Sequence, residues 1–143
     1  MKKHPATKFT ELKGVFKRLH GPRGCMWDRE QTHRSLIPHL KEEVGEFIAT
    51  VGKHDYAHMK EELGDLLLHV MFNAQIASKN KKFTIEDVID GLIRKLKRRH
   101  PHVFGKTKVS STRDIIRNWN DIKKIEKQRK KRHLSAEKRA KKT

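Results

Sequence analysis

The chain has 143 residues, 34% hydrophobic and 36% charged, and its 35 Lys and Arg against 17 Asp and Glu leave a formal net charge of +18. That length suits one domain, and the charge suits polyanionic partners such as nucleotides, nucleic acid or acidic membrane surfaces. The single cysteine, Cys25, excludes an intramolecular disulfide framework, and no apolar run has the length of a membrane span, so the expectation is a soluble cytoplasmic protein with no membrane partner.

The pattern along the chain is helical throughout. Phe9, Leu12, Val15, Phe16 and Leu19 recur at helical spacing and predict a helix over about 7–19, broken by the Gly21-Pro22-Arg23-Gly24 turn. A loop carrying Trp27 follows. The stripe Leu36, Leu40, Val44, Phe47, Val51 predicts a second helix from about 35 to 51, with Pro38 in its first turn and Gly52 as its stop. Asp55 caps a third helix over about 56–78, whose stripe runs from Tyr56 through Leu63, Leu67 and Val70 to Ala77. Thr84 and Asp87 form a capping box for a fourth, about 85–99, which Pro101 stops. A loop leads to a fifth helix from about 112, with Ile115, Ile116, Trp119 and Ile122 inward. Strand-like alternation is absent, and the expected fold is all-α: an antiparallel bundle of about five helices. Residues 1–126 read as the helical domain and 127–143 as a basic, flexible tail.

Charge is distributed unevenly. Residues 123–143 hold 11 basic and 2 acidic residues, whereas residues 42–65 hold 7 acidic and only 2 basic ones. The acidic island lies on the second and third helices. At about 100° per residue, Glu43 and Glu46 fall on one edge of the second helix's apolar stripe, and Glu62 and Asp65 on the matching edge of the third. Glu42 and Glu61 point away. If the two helices form an antiparallel hairpin, four carboxylates converge beside the core. Like charges stacked in this way repel unless a cation offsets them, and an all-oxygen set suits Mg²⁺, or Mn²⁺, rather than zinc. A di-iron bundle would need Glu-x-x-His pairs, and His69 stands four residues after Asp65, so that spacing fails. Carboxylate-bound Mg²⁺ usually completes its shell with phosphates, and Lys95 and Arg99 share a face of the fourth helix from which they can reach phosphate oxygens.

The segments Glu42-Glu43-x-x-Glu46 and Glu61-Glu62-Leu63-Gly64-Asp65 resemble the EExxE…ExxD signature of the all-α nucleoside triphosphate pyrophosphohydrolases. Gly24-Cys25-Met26-Trp27-Asp28-Arg29-Glu30-Gln31-Thr32-His33 and Arg98-Arg99-His100-Pro101-His102-Val103-Phe104-Gly105 narrow the resemblance to the MazG family, over about residues 9–126. The resemblance implies a homodimer or homotetramer that splits a nucleoside triphosphate into monophosphate and pyrophosphate. It implies Mg²⁺ on Glu43, Glu46, Glu62 and Asp65, with Glu42 orienting or deprotonating the attacking water. Lys95, Arg99 and the late Trp119/Lys123 pair would bind phosphates or close the site, and Trp27 would lie near the base. Met26 departs from the family's usual proline, Gly45 from a bulkier residue, His69 from glutamine, and Ile93-Arg94 from Asn or Asp. A competing expectation is a catalytically weak domain of this kind that binds nucleic acid nonspecifically through its basic tail.

Overall fold

A computed structural model describes residues 7–142 of the chain. Among them there are seven helices and no strand: α1 (Lys8–Leu19), α2 (Met26–Glu30), α3 (Ile37–Lys53), α4 (Tyr56–Lys79), α5 (Ile85–Arg99), α6 (Pro101–Phe104) and α7 (Thr112–Ala140). The all-α expectation holds. Two short helices, α2 and α6, occupy stretches expected to be loops. Each is too short to show periodicity, and Pro101 opens α6 at a first-turn position that proline tolerates.

Caps explain most boundaries. The Thr7 hydroxyl accepts from the Thr10 N–H, the Asp55 carboxylate from His58, and Ser111 from Asp114. Thr84 and Asp87 exchange side-chain to backbone bonds at 2.9 and 3.2 Å, the reciprocal pattern that their spacing predicts. Gly52 does not end α3. The helix runs on to Lys53 and stops at His54, whose φ of 53° is left-handed, and its N–H satisfies carbonyls of the last turn.

The chain forms two compact units that divide between Val88 and Ile89, within α5. In the first, α4 packs against both α1 and α3. Its core is Phe16, Leu36, Met71, Phe72 and Ile76, with Phe9, Leu12 and Ile85 against it. Phe16 and Phe72 meet edge-on with ring centroids 6.2 Å apart. This core lies toward the C-terminal half of α4, where Ala74 and Ala77 are also buried. The expected stripe is buried only at that end. Tyr56 is 72% exposed and Leu63 50%, and Leu67 and Val70 are also exposed. At the start of α3 its N-cap Leu36 is buried, but Leu40, Val44 and Val51 on the helix are not.

In the second unit, α7 runs unbroken from Thr112 to Ala140. The boundary expected at 126/127 falls inside it, and the basic segment beyond is helical, with every described residue exposed. Ile116 is 56% exposed rather than inward, whereas Ile115, Trp119 and Ile122 are partly buried.

Candidate metal and nucleotide site

The turn at His54–Asp55 folds α4 back along α3, so the two acidic helices lie side by side. Carboxylate oxygens of Glu43, Glu62 and Asp65 come within 4.8 Å of one another, all partly buried. Glu46, the fourth residue of the expected quartet, is exposed and adjoins this triad: its charge and a side-chain hydrogen bond both act on Glu62. Glu46 and Glu62 together line a cleft of about 260 Å³ with Thr50, Lys53, Asp55 and His58. Glu42 and Glu61 are exposed.

The electrostatics of the triad are those of an uncompensated anion cluster. Desolvation, then the charges of Asp65, Glu46 and Glu42, push the Glu43 carboxyl above its ordinary range. Desolvation, then Glu46, Asp65 and Glu43, do the same to Glu62. Glu43 Oε2 and Glu62 Oε2 are both shielded from solvent and have no hydrogen-bond partner. Buried carboxylate oxygens ordinarily find a donor. Two orphaned oxygens in an all-carboxylate set fit a hard divalent cation.

Sequence reasoning missed the residues beside the triad. Asp55 accepts from the His58 backbone N–H and pairs with its ring Nδ1 at 2.5 Å. The Asp55 side chain raises the His58 pKa, and His58 in turn holds Asp55 below the usual carboxylate range. The cap Asp55 was legible; that Asp55 and His58 also flank the carboxylates was not. His69, one turn past Asp65, is buried with its Nδ1 unpartnered, and desolvation lowers its pKa. Trp27 is half-exposed and meets His39 and Phe72 edge-on, at 6.0 and 6.2 Å between centroids.

In the second unit, Arg99 and Trp119 come together: the guanidinium lies 5.2 Å from the ring centroid. Arg99 is also committed elsewhere. Its Nη2 donates to Glu126 Oε2 at 2.8 Å, and Arg98 Nε donates to Glu126 Oε1 at 2.6 Å. The two arginines hold Glu126 down to about 2. His100 meets the Trp119 ring edge-on at 5.1 Å. Arg99 is therefore the centre of a packed Arg–Glu–Trp group, and Glu126 is its anchor, which sequence reasoning did not single out. Neither Lys95 nor Lys123 has an ion pair among the described residues.

An all-α chain with an acidic triad across a helical hairpin defines a small class of proteins, and comparison with known proteins narrows it. Residues 31–104 match the MazG nucleotide pyrophosphohydrolase domain. The chain belongs to this family. It is 51% identical over 123 residues to the nucleoside triphosphate pyrophosphohydrolase/pyrophosphatase MazG of Thermotoga maritima, covering 86% of this chain and 47% of that protein. It is 47% identical over 120 residues to the uncharacterised protein YabN of Bacillus subtilis, covering 84% of this chain and 24% of that one. The nucleoside triphosphate pyrophosphohydrolase of Escherichia coli is 36% identical over 120 residues, covering 83% and 46%. The chain thus spans about half the length or less of these relatives. A crystal structure of a MazG-related protein from Thermotoga maritima superposes with a TM-score of 0.65 at 27% identity, over 79% of this chain and 96% of that one.

Proposed function

We propose that this protein is a Mg²⁺-dependent nucleoside triphosphate pyrophosphohydrolase that converts NTP or dNTP to the monophosphate and pyrophosphate. The observation that carries the reading is the triad Glu43, Glu62, Asp65, with two shielded oxygens that no donor in the protein satisfies. Membership of the MazG family supports it independently.

In this reading Glu43, Glu62 and Asp65 hold the cation, and Glu46, one turn along α3, completes its carboxylate surround. When bound, Mg²⁺ neutralises charge on the triphosphate and makes water easier to ionise. The rest falls to the protein. The cleft lined by Glu46 and Glu62 also carries Lys53 and His58, cationic groups suited to an anionic substrate. A water oxygen bonds to the α-phosphorus, the α–β bridging bond breaks, and pyrophosphate leaves with the bridging oxygen. The water's proton passes to solvent or to Glu42, whose part in orienting or deprotonating the water rests on its motif likeness alone. No side chain acts as nucleophile, and Cys25 is outside the chemistry. The assignment of Lys95, Arg99, Trp119 and Lys123 to the phosphates, and of Trp27 to the base, rests on their motif likeness alone.

We also propose that the protein works as a homo-oligomer. Leu40, Val44, Ile48 and Val51 on α3, with Leu63 and Leu67 on α4, are exposed at helical spacing in a chain that is otherwise strongly charged. A second copy covering them would shield the carboxylate edge of the same helices from water. The test of function is pyrophosphate release from a panel of nucleoside triphosphates with and without Mg²⁺. Turnover that needs both the metal and Glu62 supports the reading, and absence of turnover across the panel refutes it.

A further inference from the structure

The lysines of α7 beyond Glu126 share one side of the helix. With Lys127 set at zero, Lys130, Lys131 and Lys138 fall within about 60° of it on either side, and Lys141 and Lys142 follow in the turn after the helix. Arg129, Arg132 and Arg139 lie on the opposite face, between about 120° and 200°. Four lysines therefore line one strip of an exposed helix over about 16 Å, and none is paired with a carboxylate among the described residues. The one acid of this stretch, Glu137, lies off the strip and pairs with His133 at 3.1 Å. Like charges at i, i+3 and i, i+4 oppose the helix, so the arrangement is one that an anionic partner would relieve.

We infer that this lysine strip is a docking face for the phosphodiester backbone of duplex nucleic acid, independent of sequence. A duplex carries about one negative charge per 1.7 Å of axis, so the strip runs along about ten phosphates with four cations. Lysine ammoniums are point charges suited to phosphates without the forked geometry that reads bases. A membrane surface is the poorer match. Helices that lie in a bilayer interface bury an apolar face, and here the face opposite the lysines carries three arginines. The only large apolar residue, Leu134, stands within the lysine strip itself.

The test uses the full chain and two variants that remove equal charge: Lys130→Gln/Lys131→Gln/Lys138→Gln and Arg129→Gln/Arg132→Gln/Arg139→Gln. Binding to labelled 30-bp DNA and RNA duplexes of mixed sequence is read by fluorescence anisotropy across a KCl series, beside vesicles containing phosphatidylserine. The native chain should bind both duplexes with affinities within about threefold of each other, as expected of backbone contacts. The lysine variant should weaken binding at least tenfold at low salt and lower the slope of log K against log[salt] by about 2.7, from about 0.9 per lost phosphate contact. The arginine variant should lose less than a third as much. Lysine-to-arginine replacement at the same three positions keeps the charge and should retain binding, which separates lost contacts from lost helix. Equal losses in the two variants, no duplex binding, or tighter binding to the vesicles would overturn the inference. Nucleotide turnover should be unchanged in every variant, so failure of the proposed hydrolase activity would register there and leave the anisotropy result standing.

Discussion

Glu43 and Glu62 are the residues at which the account is most exposed to test. Their raised pKa values arise from desolvation and from neighbouring carboxylates, so removing one charge should relieve the rest. Glu43→Gln and Glu62→Gln are expected to raise the melting temperature of the metal-free protein by about 1–3 °C. Both should abolish the further rise that Mg²⁺ gives the native protein through binding. Glu61→Gln, on the exposed side of α4, should change neither. Thermal shift with and without MgCl₂ reads both effects, and a destabilised metal-free Glu43→Gln would contradict the repulsion. Glu126 has the opposite sign. Its pKa is depressed to about 2 by Arg99 and Arg98, so its stabilisation is full above the ordinary value of 4.5 and is lost as pH falls from there toward 2. Glu126→Gln should cost about 2 kcal/mol at pH 7, after discounting for screening, and the variant should lose less stability than the native chain between pH 4.5 and 2.5. Urea melts across that range measure it. The triad was legible because helical geometry alone puts Glu43, Glu62 and Asp65 on facing edges. The Arg98–Arg99–Glu126 group was not, since its members lie 27 and 28 residues apart with no periodicity to link them.

At the scale of elements, α3 passes one stop signal and obeys another. Gly52 reads as the terminator of α3, yet the helix ends at His54 because the tight turn into the Asp55 cap needs its left-handed residue there. A histidine in that conformation carries a steric cost that glycine does not. His54→Gly is expected to stabilise the protein by about 1 kcal/mol in denaturant melts. Gly24 is the reverse case. The Cys25 N–H donates to the Leu19 carbonyl at 2.8 Å, closing the turn after α1, and a Cβ at Gly24 would stand 1.9 Å from that oxygen. Gly24→Ala should therefore open the turn and cost about 2 kcal/mol or more. The capping pairs were readable because they are local in sequence. The short α2 and α6 were not, being a turn or so each.

For the whole molecule, charge and exposed apolar surface lead to separate expectations. The half-exposed stripes on α3 and α4 account for the gap between the expected core and the buried one: periodicity marks which residues face a partner, but not whether that partner is in the same chain. Light scattering should find a dimer or tetramer, and Val44→Lys/Ile48→Lys should shift it toward monomer. A native chain that is monomeric at micromolar concentration would remove this part of the account. Deleting residues 127–143 removes no member of the triad or of the Arg99–Glu126–Trp119 group, and should leave turnover of small nucleotides intact while net charge falls from +18 to +10.

The most direct measurement is pyrophosphate release by the native chain and by Glu62→Gln, each with a nucleoside triphosphate panel, in Mg²⁺ and in EDTA. The account predicts monophosphate and pyrophosphate in equal amounts from at least one substrate, only in Mg²⁺, with turnover reduced about 100-fold or more in the variant. Release of inorganic phosphate instead of pyrophosphate, undiminished turnover in EDTA, or a Glu62→Gln variant as active as the native protein would contradict it.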